Sequence, residues 1–212
     1  MLSKFNIPNE ILNYIQGLKF ELNNIGRSGD IVIIFENKYI LKISTDKEKL
    51  KREKEKNDWL INYIPVNKTI SYIENKSHAY YLKFYLDGES LIDKKYISNP
   101  ILLIQLISKA FYILQQVDIK SCPFKSSDNE GIDFVHGDFC LPNILVKNEE
   151  IIGFIDLENA GIGDKWYDIS WALWSLSYNL ETNKYNKQLL KLLNLEFNEE
   201  KYNQYIPENY RK

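Results

Sequence analysis

The stretch from His136 to Asp168, HGDFCLPNILVKNEEIIGFIDLENAGIGDKWYD, constrains this chain more than any other. Asp138 is followed five residues later by Asn143 and thirteen after that by Asp156, with short apolar runs between. Ile144-Leu145-Val146 and Ile151-Ile152-Gly153-Phe154-Ile155 have the composition of two strands, and Lys147-Asn148-Glu149-Glu150 is the polar turn between them. A hairpin built this way carries Asn143 and Asp156 to the same open end.

A carboxylate, an amide and a second carboxylate so placed suit phosphoryl transfer. That reaction passes through a loose, charge-rich transition state, which metal ions stabilise while a carboxylate orients the acceptor hydroxyl. Asp138 can accept the hydroxyl proton, and Asn143 and Asp156 offer oxygen to magnesium, a hard cation that prefers oxygen ligands.

The same residues carry a family likeness. HGDFCLPN followed by GFIDLENAGIGDKWYDIS resembles the catalytic and metal-binding core of the aminoglycoside 3′-phosphotransferases, enzymes related in fold to protein kinases. The resemblance implies an α+β class and a bilobal protein-kinase-like fold. An antiparallel-sheet N-lobe, residues 1–87, would bind nucleotide, and a mainly helical C-lobe, residues 88–212, would hold the catalytic loop, metal site and acceptor site. ATP and Mg2+ are the implied cofactors. The boundary is set at Asp87-Gly88, where the strand ending Phe84-Tyr85-Leu86 runs out; there the resemblance places a hinge whose backbone, at Phe84 and Leu86, meets the adenine edge.

Upstream, Asn24 to Asp30 is a small-residue turn opening the strand Ile31–Phe35, and such a turn lets backbone amides approach phosphate oxygens. From its residues alone it is more simply a plain hairpin turn; the resemblance raises the phosphate reading to equal standing and makes Ser28 its side-chain contact to phosphate. Lys42 lies in the apolar strand Tyr39–Ser44, where a lysine is ordinarily a snorkelling edge residue. In the family, a lysine at this place holds the α and β phosphates and pairs with a glutamate on the next helix. That helix, Asp46 to Ile64, has an inward stripe of Leu50, Glu53, Asn57, Leu60 and Ile64. An inward carboxylate needs a cationic partner, and Lys42 is the candidate for Glu53.

Further along, Leu103, Leu106, Ile107, Ala110, Leu114 and Val117 mark the core face of a long helix, and Gly161 and Gly163 punctuate a loop. Trp171, Trp174 and Tyr178 share a face of the next helix and read as core. His136 reads as a brace for the catalytic loop, and the resemblance gives Asp168 a supporting role behind its backbone.

Composition narrows the partners. A net charge of -2, with 26% charged and 44% hydrophobic residues, lacks the basic excess of a nucleic-acid binder. Cys122 and Cys140 have no metal-ligand company and form no disulfide framework, which fits a reducing cytoplasm. The N-terminus has no signal-peptide pattern, and the most apolar helix, Ile101 to Val117, is too short and polar to span a membrane. The expected partner is a small-molecule, aminoglycoside-like alcohol, with the protein a monomer or weak homodimer.

Three departures from the family concern the acceptor. The loop Cys122–Ile132 is short where the family usually inserts helices bearing acidic residues, the C-terminal EKYNQYIPENYRK finishes basic rather than acidic, and Asn159 replaces a usual arginine. Asp128, Glu130, Asp133, Glu158 and Glu181 could rebuild an acidic pocket. The leading expectation is an ATP-dependent O-phosphotransferase acting on an aminoglycoside, hence antibiotic resistance. The alternatives are a kinase of another hydroxylated metabolite and a non-catalytic nucleotide-binding relative.

Overall fold

The structure is a computed structural model that describes residues 2–23, 29–126 and 131–211. The chain divides into two units: Met1–Asn62 with Val66–Asp87, and Tyr63–Pro65 with Gly88–Lys212.

In the first unit, β1 (Phe20–Asn23), β2 (Ile31–Phe35), β3 (Tyr39–Ser44), β4 (Thr69–Glu74) and β5 (Ala79–Phe84) form one antiparallel sheet in the order β1-β2-β3-β5-β4. Alternation along β2 buries Ile33 and Phe35, which join Ile11 and Ile15 of helix α1 (Asn9–Ile15) and Leu41 of β3 in a hydrophobic core. β1 is too brief to announce itself; it exists because Phe20 pairs opposite Phe35 at the sheet edge. Helix α2 (Lys47–Leu60) starts at Asp46, whose carboxylate accepts the Lys49 N–H at 2.9 Å. It stops four residues before Ile64, since Ile64 precedes Pro65 and is sterically excluded from the helical region. Its inner face meets the sheet through Leu50, which packs with Ala79 and Tyr81.

In the second unit, α3 (Lys94–Ile97) leads into α4 (Pro100–Leu114), which has Asn99 as its cap and Pro100 in its first turn. Leu103, Leu106, Ile107, Ala110 and Leu114 of α4 are all buried. β6 (Glu89–Ser90), β8 (Ile144–Lys147) and β9 (Glu150–Phe154) form a three-stranded sheet. β7 (Asp133–Val135) pairs antiparallel with β10 (Gly161–Gly163), so the two glycines read as loop punctuation lie in a short strand. Gly161 is needed there, since a Cβ would lie 2.5 Å from the Lys125 carbonyl carbon. Helices α5 (Lys165–Leu180), α6 (Asn186–Leu192) and α7 (Glu199–Tyr205) complete the unit.

One face of α5 corrects its sequence reading. Its buried residues are Asp168, Ile169, Ser170, Ala172, Leu173, Ser175 and Leu176, whereas Trp171 and Trp174 are half-buried and Tyr178 is 49% exposed. The helix turns the smaller side chains inward, and the bulky aromatic row is left at the surface. Among the described residues no helix is long and apolar enough to cross a membrane, and both cysteines are free thiols.

Candidate active site

The β8–β9 hairpin sets the first part of the site. Ile144 pairs with Phe154, and just beyond that pair the Ile155 N–H donates to the Asn143 carbonyl at 3.1 Å. Asn143 and Asp156 therefore leave the hairpin at one end. Asp156 adopts φ 59°, the left-handed conformation that aspartate tolerates better than most residues. Asn143 ends a single 3-10 turn, Leu141–Asn143, which Pro142 helps to start.

Asn143 is bound to the loop before it. Its Nδ2 donates to the Asp138 carbonyl at 2.9 Å and to Asp138 Oδ2 at 2.8 Å. With the NH2 group committed to Asp138, the amide oxygen is the group left to act as an acceptor. Asn143 Oδ1 and the Asp156 carboxylate are both hard oxygen donors. Magnesium is usually held by one or two protein oxygens, with water and substrate phosphates filling the rest of its octahedron. The residues fit that group, and no cluster of three or more His, Cys, Asp or Glu among the described residues offers an alternative metal cage.

The loop carrying Asp138 is braced from behind by Asp168, in the first turn of α5. Its oxygens accept the His136 N–H at 2.6 Å and the Gly137 N–H at 3.0 Å, although burial pushes the carboxyl up to about 7. Gly137 has φ 80°, and a Cβ there would lie 2.5 Å from the Asn159 carbonyl oxygen. The His136 ring is buried against Phe139 and Phe154, and its Nδ1 faces the Asp138 N–H at 3.3 Å. Burial holds its pKa below the usual histidine value, so it is neutral and supportive rather than a proton carrier. Ser175 Oγ accepts the Leu141 N–H at 3.1 Å, tying the loop to the middle of α5. The buried Cys140 thiol faces Asp138; burial and that carboxylate raise its pKa, so it stays protonated.

In the other unit, Lys42 sits on the interior strand β3 and is 4% exposed, which removes the snorkelling-edge alternative. Its Nζ lies 2.7 Å from Glu53 Oε2, and Glu53 is fully buried on the inner face of α2. The other oxygen, Oε1, takes Lys83 Nζ at 2.6 Å, a partner that sequence reasoning missed. No local pattern gives it: Ile40 pairs with Lys83 and Lys42 with Tyr81, so only the β3–β5 register sets both lysines on one face of the sheet. Burial alone would raise the Glu53 pKa, but Lys83 and Lys42 together hold it down at about 2. Asp30 adds a second acid, 3.9 Å from Lys42 and 3.1 Å from Lys49.

The hinge residues behave differently from one another. Phe84 has its N–H donated to the Lys68 carbonyl and its carbonyl taken by Asn67 Nδ2, both at 2.9 Å, so both groups already serve the sheet. The Leu86 backbone has no partner among the described residues. Ser28, Asp128 and Glu130 lie outside the described residues.

Residues 132–205 match a family model described as the phosphotransferase enzyme family. A probable aminoglycoside 3′-phosphotransferase of Lactococcus lactis is 30% identical, with 69% of this chain and 72% of the relative covered. An aminoglycoside 3′-phosphotransferase of Niallia circulans is 26% identical, with 95% of each covered. Among solved structures, an aminoglycoside phosphotransferase from Streptomyces rimosus superposes with a TM-score of 0.79 at 15% identity over 96% of each chain. The same protein has been solved with ADP and streptomycin, with a TM-score of 0.78 over 96% of each chain at 14% identity. The α+β, protein-kinase-like fold is that of these neighbours.

Proposed function

The chain belongs to the aminoglycoside 3′-phosphotransferase family, and we propose from that premise that it transfers the γ-phosphate of ATP to a hydroxyl group of an aminoglycoside. The observation that carries this reading is the Asp138–Asn143 pair at 2.8 Å, with Asp156 leaving the same hairpin end. A non-catalytic binding module has no need for a carboxylate held in this way beside a metal-type oxygen pair.

Asp138 would accept a hydrogen bond from the acceptor hydroxyl and take its proton as the phosphoryl group moves. Asn143 and Asp156 would hold magnesium, which supplies charge neutralisation at the phosphate oxygens. Lys42, kept in place by Glu53, would bind the α and β phosphates, with Ser28 a further contact to phosphate. The adenine edge would be read by Leu86, and by Phe84 only through the second lone pair of its carbonyl. Residues 1–87 thus serve nucleotide binding, and residues 88–212 serve catalysis, metal and acceptor. Two free thiols suit the cytoplasm, and the chain would act on its small-molecule acceptor as a monomer or weak homodimer. Support for the acceptor class comes from the relatives' names and from the Streptomyces rimosus neighbour solved with ADP and streptomycin.

The test is ADP release coupled to NADH oxidation, with kanamycin, neomycin and streptomycin as acceptors and mass spectrometry of the product. Antibiotic-dependent turnover with gain of one phosphate is expected. Turnover with another alcohol, and none with any aminoglycoside, would overturn the acceptor class and keep the reaction.

A further inference from the structure

Trp174 and Tyr178, two of the aromatic residues of α5 that stay out of the core, face a cavity of about 1020 Å3. This is at the upper end of the volumes that hold drug-sized ligands. One wall is Trp174, Tyr178 and Tyr210: Trp174 and Tyr178 stack with centroids 5.2 Å apart and planes at 22°, and Tyr210 packs 5.3 Å from Trp174. The wall is pinned, since Trp174 Nε1 donates to the Tyr210 carbonyl at 3.0 Å. Phe197 and Tyr202, 5.5 Å apart, also line the cavity. Phe197 is 55% exposed and Tyr178 49%, so large rings are offered to a ligand in a concave site.

Between the rings the lining is amide and hydroxyl, with Glu181 its single carboxylate among the described residues. That composition separates two kinds of acceptor. A polycationic aminoglycoside gains most of its affinity from several carboxylates facing several ammonium groups. A sugar ring poor in amino groups has an apolar C–H face, which stacks on aromatic rings, and a polar rim, which amides satisfy. Only the second matches these walls.

The cavity is also coupled to the catalytic loop. Asn179, in its lining, donates to the Ser175 carbonyl at 2.7 Å, and Ser175 Oγ holds the Leu141 N–H. One stretch of α5 thus presents rings to the cavity and braces the loop that bears Asp138.

Resting on the phosphotransferase reading, with this cavity as its acceptor seat, we propose that the preferred acceptor is a glycoside poor in amino groups. It is held by stacking on Trp174, Tyr178 and Tyr210 rather than by ion pairs.

The experiment titrates the full chain with spectinomycin, poor in amines, and neomycin, rich in them, following tryptophan fluorescence, and measures the KM of each as acceptor. Spectinomycin should bind more tightly, with a Kd that changes less than about twofold between low and high salt, because stacking is not screened. Tyr178→Ala, at an exposed position, and Trp174→Leu should each raise the acceptor Kd about tenfold, the loss of one aromatic contact. Glu181→Gln should change it less than about threefold. The KM for ATP should be unchanged in all three. Tighter, salt-sensitive neomycin binding, or a Tyr178→Ala variant within twofold of the parent, or no fluorescence response to either compound, would overturn the proposal. Binding that follows the expected pattern without transfer to any acceptor would overturn the phosphotransferase reading alone.

Discussion

Asn143 gives its amide hydrogens to the carbonyl and the carboxylate of Asp138, so one small side chain fixes two things at once: the angle of the candidate base and the direction of its own oxygen. Removing either partner should therefore affect rate more than nucleotide affinity. Asp138→Ala should lower kcat by about 10²- to 10⁴-fold, the usual worth of a positioned acid–base group, with the KM for ATP within about threefold. Steady-state kinetics with a saturating acceptor checks this, and parental kcat would remove Asp138 from its role. Gly137→Ala tests the backbone instead. The new methyl group would meet the Asn159 carbonyl in a left-handed conformation, so urea unfolding should show a loss on the order of 1–3 kcal/mol. Much of this site was legible beforehand, because Asp138, Asn143 and Asp156 are local to one hairpin and its lead-in. Cys140 and Ser175 were not. Their positions depend on α5 returning to the loop more than thirty residues later, which no local pattern encodes.

At the scale of elements, α2 shows how far periodicity reaches. Stepping three and four residues along it found Glu53 on the buried face and asked for a cation. The step could not say that the carboxylate would be shared by two cations, because the second arrives from β5, whose pairing with β3 is a long-range contact. The Trp171, Trp174 and Tyr178 row was misread for a related reason: periodicity finds a face, but what covers it is decided by the elements that follow. The shared carboxylate has a consequence for acid stability. Glu53 has a folded pKa of about 2, below its unfolded value of about 4.5, so the folded state binds fewer protons between those values. Its contribution is full above pH 4.5 and is lost as pH falls toward 2, a difference on the order of 3 kcal/mol. Urea unfolding of the parent and Glu53→Gln at pH 6 and pH 3 should show a stability gap that narrows on acidification. Lys83→Met should narrow it less, since Lys42 still pairs with Glu53. An equal gap at both pH values would mean that the folded-state pKa of Glu53 is not lowered.

For the whole molecule, the proposed nucleotide and metal are ligands whose binding can be read as stability. Anything that binds the folded chain and not the unfolded one stabilises it by mass action, about 2.7 kcal/mol at a hundred times Kd. For a chain of this size each kcal/mol moves Tm by about 2–4 °C. Saturating Mg·ATP should then raise the apparent Tm by roughly 5–11 °C. On the proposed roles the rise would have two parts, because Lys42 and Leu86 would bind nucleotide without metal, whereas Asn143 and Asp156 would act through metal. Scanning calorimetry with ATP and EDTA, and then with ATP and magnesium, separates them. In Asp156→Ala the magnesium-dependent increment should vanish and the ATP–EDTA increment should remain; in Lys42→Met both should fall. An Asp156→Ala variant that keeps the full magnesium increment would place the metal on other residues, and the hairpin end at Asn143 and Asp156 would lose its part in the chemistry.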